Sequence, residues 1–381
     1  MALSLVLDEH RAYLADEARI SSFRRAVREV VQPGDVVVDL GAGTGILGLL
    51  ACQAGASRIY SIDEGSIIGL TEAIYHDNGF ADRVIFIKRF STRVDLPEKA
   101  DVVLSDQIGR FGFDAGALEF FSDARQRFLK PDGTIIPARI DLYAAAVESK
   151  ELFANVEFWN GRPADFEFRT ARIIAANTGY PAKLEAENLL SEPARLASLD
   201  ILSSTTDPFR IKGRVRANRG GQIHGIGGWF SAQLSPSVAM NNSPLAAERI
   251  NRRNVFFPIA HPVTVTRGDW VQINMHIVPA EKMVTWKVEI GSDGARPREV
   301  FQHSTFNGML LCREDLRRSR PGFIPTLTPW GGARLTVLTL CDGSRPLSEI
   351  EQEVSRRHAE LFRSVGEAAA FVAEVVANYS K

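Results

Sequence analysis

Apolar and polar positions recur with different periods along this chain, and the changes of period divide it into three parts. Residues 7 to 31 carry Tyr13, Leu14, Phe23, Val27 and Val30 as an interrupted stripe among many charges, which predicts an amphipathic helix. Pro33-Gly34 stops it. Val36-Val37-Val38 then reads as a buried parallel strand, Gly41-Ala42-Gly43-Thr44-Gly45 as a tight turn, and Ile46-Leu47-Gly48-Leu49-Leu50-Ala51 as a helix. The alternation continues through strand Arg58-Ile59-Tyr60-Ser61-Ile62, a helix over 67–78, strand Arg83-Val84-Ile85-Phe86-Ile87, a strand over 100–106 and a helix over 118–129. Lys130-Pro131-Asp132-Gly133 closes that helix as a turn, before Thr134-Ile135-Ile136-Pro137. Residues 1–140 therefore predict an N-terminal helix and a Rossmann-like α/β domain.

Over 141–302 the period shortens to strand-like alternation broken by Gly, Pro and Asn, which predicts a β-barrel or sandwich. Its aromatic stretches, Gly228-Trp229-Phe230, Val255-Phe256-Phe257 and Thr285-Trp286-Lys287, are expected in its core. Arg210, Lys212, Arg214 and Arg216 fall on one strand face, read as a solvated outer surface in preference to an anion site. The remainder, 303–381, has an apolar run over 333–341, a turn at Asp342-Gly343, and helices over 346–358, with Ser348 as its cap, and 367–379. It predicts a small helical, winged-helix-like unit of roughly 80 residues.

Composition narrows the function classes. A formal net charge of -1 gives no overall field for nucleic acid, and no apolar run reaches membrane-spanning length. The first residues lack the basic flank and cleavage site of a signal peptide, so a cytoplasmic location is expected, with neither nucleic acid nor membrane as partner. Cys52, Cys312 and Cys341 are too dispersed for a metal cluster and are expected as small core residues; no metal site is predicted.

The glycine bend carries the chemistry. Its spacing is Gly-x-Gly-x-Gly, with Asp39 two residues ahead, whereas a pyrophosphate cradle has Gly-x-Gly-x-x-Gly. An acid there suits the cationic amino group of S-adenosylmethionine and sits badly beside a diphosphate. Asp63 ends the second strand about 20 residues past the glycines, where a carboxylate accepts ribose hydroxyls. Asp106, at the carboxyl end of the fourth strand, faces the ligand crevice of an open α/β sheet.

His10 with Asp16-Glu17-Ala18-Arg19, the stretch Val38-Asp39-Leu40-Gly41-Ala42-Gly43-Thr44-Gly45, Ile62-Asp63, Ser105-Asp106-Gln107-Ile108-Gly109, and Leu129-Lys130-Pro131-Asp132-Gly133 together resemble the protein arginine methyltransferases, as do Gly228-Trp229-Phe230, Ser243-Pro244 and Val255-Phe256. The resemblance covers about residues 7 to 300. It implies a class I methyltransferase domain followed by a β-barrel, with S-adenosylmethionine as cofactor and the acceptor between the two. It places His10, Asp39, Gly41, Gly43 and Gly45 around the donor, Arg19 on the methionine carboxylate, Asp63 on the ribose, and Ser91 and Thr92 at the adenine edge.

The chain departs from that family at the acceptor. Relatives bracket the substrate guanidinium with two glutamates on one hairpin loop; here the first is Asp106, and the second position falls on Ala115 or Gly116. Asp114 is the candidate replacement catalytic acid, with Glu119 nearby. The loop's aromatic becomes Arg110 and the family's Thr-His-Trp segment becomes Arg249-Ile250-Asn251, so Arg110 and Arg249, or Arg252, are candidates for gripping an acceptor's carboxylate. The expected activity is methyl transfer to a nitrogen of a peptide or protein side chain, arginine being the family default. A small-molecule N- or O-methyltransferase and an inactive cofactor-binding scaffold are the alternatives. Relatives dimerise through a helical arm, which residues 188–202, with Leu189, Leu190, Leu196 and Leu199, would supply in a homodimer; a plain surface helix is the other reading. The tail, through Val337-Leu338-Thr339-Leu340-Cys341-Asp342-Gly343, also resembles the peptide-binding winged helix of pathways that modify ribosomally made peptides, which implies a peptide partner.

Overall fold

The three valines stand at the middle of a five-stranded sheet. The computed structural model describes residues 6–380 and divides into two compact units, Met1–Met309 and Leu310–Lys381. The first begins with α1 (Val6–Leu14), α2 (Glu17–Val30), β1 (Val36–Leu40), α3 (Ile46–Ala54), β2 (Arg58–Asp63), α4 (Ile68–Asp77), β3 (Val84–Lys88), β4 (Ala100–Leu104), α5 (Ala117–Arg127) and β5 (Leu129–Ile136). The strands lie in the order β3-β2-β1-β4-β5, all neighbours parallel. Every residue of β1 is buried, because helices cover both faces of a parallel sheet. With β2 on one side of β1 and β4 on the other, the strand order reverses there and opens a crevice at the carboxyl ends.

Two local readings are corrected. The helix expected over 7–31 is broken, because the Asp16 side chain accepts the Arg19 N–H at 3.2 Å and starts α2 afresh. Residues 130–133 are not a turn before β5 but a bulge within it, since pairing jumps from Ala100↔Leu129 to Val102↔Thr134.

The second part of this unit comprises β6 (Arg139–Val147), α6 (Lys150–Glu157), α7 (Arg169–Ala176), β7 (Tyr180–Ala182), β8 (Ala194–Asp200), β9 (Phe209–Arg216), β10 (Gly221–Gln233), β11 (Ala239–Asn241), β12 (Asn254–Val265), β13 (Trp270–Val278), β14 (Met283–Gly291) and β15 (Glu299–Ser304). Its sheets run β7-β12-β10-β6-β8, with β11 on β10, and β15-β14-β13-β9. Edge strands β8 and β9 adjoin, as do β12 and β15, which curls the pair toward a barrel. Trp229, Phe230, Phe256 and Trp286 are buried, as their spacing predicts. The indole N–H of Trp286 donates to the Pro258 carbonyl at 2.9 Å, tying one sheet to the other.

Residues 188–202 form no helical arm. Leu189 bridges Val147, β8 pairs with β6, and Leu189, Leu190 and Leu196 are buried in the barrel. The helical insertion is instead α6 and α7, between β6 and β7.

The C-terminal unit holds α8 (Arg313–Arg318), α9 (Pro329–Leu340), α10 (Leu347–Arg357) and α11 (Val365–Tyr379). Val337, Ile350, Val354, Phe362, Val372 and Val375 make its core. Among its described residues there is no strand, so the helices of the winged-helix reading form and the wing does not. Ser348 lies inside α10 and caps nothing; Pro346 precedes that helix. Cys52 is buried as expected, whereas Cys312 is exposed at the start of α8.

Trp286→Phe removes the donor to Pro258 and leaves a buried carbonyl unpaired, so a loss of about 1–3 kcal/mol is expected. Urea unfolding should show a lower midpoint at unchanged slope.

Candidate active site

A cavity of about 760 Å³ opens at the carboxyl ends of β1, β2 and β4. One end is backbone. Gly41 and Gly43 have φ of 65° and 55°, and a Cβ on either would collide, with the Gln107 side chain and the His10 imidazole respectively. The missing Cβ atoms let these two side chains close on the main chain, and both also line the cavity into which a cofactor laid along the bend would fit. Asp63 lines the cavity; Oδ2 accepts from the Gly43 N–H at 2.9 Å and Oδ1 from the Gly65 N–H at 2.7 Å. The carboxylate pins the bend to β2, and each oxygen retains a second lone pair for a hydroxyl.

Several predicted residues lie elsewhere. Asp39 does not line the cavity. It is buried under α3, where Oδ2 accepts from the Gly48 N–H at 2.9 Å while Oδ1 has no partner. Burial pushes its carboxyl up to about 7, against the lowering effect of the Gly48 N–H. Gly45 starts α3 and packs against Thr71 and Tyr75, where a Cβ would not fit. Ser91 and Thr92 sit in a short turn held by Arg127, whose guanidinium donates to the Ser91 carbonyl at 2.6 Å, and neither reaches the cavity.

The other end of the cavity is built on Asp106, just past β4. Its Oδ2 accepts from Arg19 Nε at 2.5 Å and Arg252 Nη2 at 2.8 Å, while Oδ1 is buried without a partner. All three side chains are largely buried. Burial opposes the Arg252 charge, but the attraction of Asp106 prevails and its pKa is raised. Arg19 also donates to the Tyr13 carbonyl at 3.1 Å and lies 5.1 Å from that ring's centroid. Asp16 holds the opposite wall, accepting the Asn251 N–H at 2.7 Å and so fixing the barrel segment that carries Arg252.

The loop after β4 supplies the rest. Asp114 Oδ1 accepts the N–H groups of Arg110 at 2.7 Å and Phe111 at 2.8 Å, so half of this carboxylate is committed to the turn. Asn242 takes the Arg110 carbonyl at 2.9 Å, leaving the Arg110 side chain half exposed at the cavity. Ala115 also lines it. Arg249 turns away to Glu185 Oε2 at 2.6 Å and the Leu184 carbonyl at 3.0 Å; Arg252 takes its predicted place. Glu119 is not a lining residue.

Among the predicted residues, the cavity brings together His10, Arg19, Gly41, Gly43, Asp63, Asp106, Arg110 and Asp114. Tyr13, Glu64, Gln107 and Arg253, to which the sequence pattern assigns no role at the site, also line it. Tyr13 was within reach of sequence reasoning, since it stands three residues after His10 on the same helix face.

Asp39 generates a pH signature. With its folded pKa near 7 and its ordinary value at 3.8, the native state holds an extra proton between them, so this group's contribution to stability falls as pH rises through that window. Asp39→Asn keeps an oxygen for Gly48, so its stability relative to the wild type should rise between about pH 4 and about pH 7. Parallel unfolding curves for the two proteins across that range would refute the assignment.

Comparison with known proteins places this geometry. Residues 138–290 match a family model described as the arginine methyltransferase oligomerization subdomain, and residues 24–140 match one described as ribosomal protein L11 methyltransferase. Protein arginine N-methyltransferase 6 of Danio rerio is 28% identical over 288 residues, covering 72% of this chain and 82% of that protein. Protein arginine N-methyltransferase 1 of Dictyostelium discoideum is 27% identical over 283 residues, with the same two coverages of 72% and 82%. A solved Trypanosoma brucei PRMT1 enzyme-prozyme heterotetrameric complex with AdoHcy aligns with a TM-score of 0.70 at 20% identity, covering 77% of this chain and 97% of that one, a likeness of fold. By its two domain matches and its relatives, the chain is a class I S-adenosylmethionine-dependent methyltransferase that resembles the protein arginine methyltransferases.

Proposed function

We propose that this methyltransferase acts on a side chain of a peptide or protein, seated between the Gly41–Gly43 bend and Asp106. The observation that carries the reading is that one cavity joins a glycine bend, pinned by Asp63, to a polar end built from the loop after β4 and the barrel segment around Arg252. The cofactor supplies an electrophilic methyl group on a sulfonium. Asp63 offers its remaining lone pairs to the ribose hydroxyls. Arg19, which uses Nε on Asp106 and Nη1 on Tyr13, turns its remaining nitrogen to the methionine carboxylate. His10 covers the bend from α1, and Tyr13 lines the same cavity.

The α6–α7 insertion supports assembly with a second copy. Phe158, Phe166 and Ile173 are 58%, 68% and 63% exposed on it, an apolar surface unusual for an unpartnered helix pair. It also falls within the match to the oligomerization subdomain. In the C-terminal unit, Leu327 and Leu335, 64% and 54% exposed, give a peptide segment an apolar face to lie on.

Calorimetry with S-adenosylmethionine, followed by transfer of labelled methyl to peptides and to free amino acids, tests the reading; tight cofactor binding with no labelled acceptor would overturn it. Gly43→Ala puts a methyl against His10 at a positive φ, and should weaken cofactor binding by about tenfold or more while far-UV circular dichroism is unchanged. Sedimentation should detect a dimer that Phe166→Asp with Ile173→Asp converts to monomer.

A further inference from the structure

The charge around Asp106 goes further than the methyltransferase reading, on which it rests, and specifies the acceptor's class. A cationic acceptor needs an uncompensated carboxylate. At this end of the cavity Asp106 is shared between Arg19 and Arg252 through one oxygen, and its other oxygen is buried. Asp114 holds two backbone N–H groups on Oδ1, and its Oδ2 is 3.8 Å from Arg110 Nη1. The position of a second clamp falls on Ala115 or Gly116, neither of them an acid. Arg110, Arg252 and Arg253 line the same cavity, and with Arg19 they set four cations against Asp106 and Asp114. A guanidinium or ammonium entering here meets a surplus of like charge.

We infer that the acceptor is itself a carboxylate, the side chain of an aspartate or glutamate in a peptide, and that the methyl group goes to its oxygen. Arg110 and Arg253, exposed on this cavity, offer planar donors that match a carboxylate and orient it, and Arg252, held by Asp106 and the loop carbonyls, adds positive charge behind them. In the transfer, one carboxylate oxygen forms a bond to the methyl carbon as that carbon's bond to sulfur breaks, the electron pair remaining on sulfur. The acceptor's negative charge and the sulfonium's positive charge vanish together, leaving a methyl ester and a thioether. No proton moves, so the step requires no general base. This accounts for a cavity that retains the donor end while arginines outnumber the acids around Asp106. A protonated nitrogen acceptor would have to give up a proton as well as gain the methyl group.

The test uses the full chain and three synthetic Gly/Ser peptides, acetylated and amidated, with a single central glutamate, glutamine or arginine. Fluorescence anisotropy, which needs no turnover, should show the glutamate peptide binding about tenfold or more tighter than the other two, with the preference reduced in Arg110→Gln and abolished in Arg252→Met. Arg110→Gln changes an exposed rim side chain, so it reads the charge effect even if Arg252→Met fails to fold. With labelled cofactor, the glutamate peptide should take up methyl that is released as methanol at alkaline pH, as an ester is. Alkali-stable label on the arginine peptide, or cofactor binding with label on none of the three, would overturn the inference and leave the methyltransferase reading standing. Absence of cofactor binding by calorimetry would instead remove that reading. A version of the glutamine peptide with a free carboxyl terminus separates side-chain from terminal carboxylate: label there and none on the glutamate peptide also overturns the proposal.

Discussion

The cavity depends on the sharing of Asp106 between two arginines. Arg19 comes from α2, Asp106 from the end of β4, and Arg252 from the segment leading into β12, so one carboxylate oxygen joins the cofactor sheet, the helix that precedes it and the barrel. All three side chains are largely withdrawn from water. Breaking a buried pair by removing one partner costs about 3–5 kcal/mol, because the group left behind is a buried uncompensated charge. The triad is therefore a strong constraint on where the barrel segment sits, and it carries a net positive charge, two guanidinium groups against one carboxylate.

That surplus charge separates the two ends of the site. At the donor end the work is done by backbone: glycines at positive φ, and a carboxylate, Asp63, that spends a lone pair of each oxygen on the main chain. Nothing there selects the acceptor. At the other end Asp106 holds Arg19 and Arg252 through one oxygen and Asp114 holds two loop amides, and the carboxylate acceptor inferred above rests on the surplus of arginines there. A fold shared with arginine methyltransferases can thus keep its donor chemistry and change its acceptor, since function resides in the site and not in the fold.

The helical insertion is a separate device. It leaves the barrel between β6 and β7, buries Phe153, Val156 and Ala176 inward, and presents other large apolar side chains outward. Its inner face holds it to the barrel; its outer face is where an assembly would be read.

Much of this was legible in the chain itself. The valine run, the glycine bend, Asp63 and the address of Asp106 rest on local periodicity and on residues only a few positions apart, and such patterns dictate strand, turn and helix directly. The helical core of the C-terminal unit was legible for the same reason. What only the tertiary structure decided depends on which distant residues meet. Asp39 lies in a strand covered on both faces, so it turns under α3 to Gly48 instead of toward a ligand. The leucines between 188 and 202 fit a helix in part, but pairing with β6 claimed them for a strand and the barrel core. Arg249 and Arg252 are equivalent on paper; the path of the chain sent one to Glu185 and the other to Asp106. Short-range order follows from the covalent sequence because neighbours share one backbone, whereas the pairing of charges drawn from α2, β4 and the barrel exists only once long-range packing has brought them together.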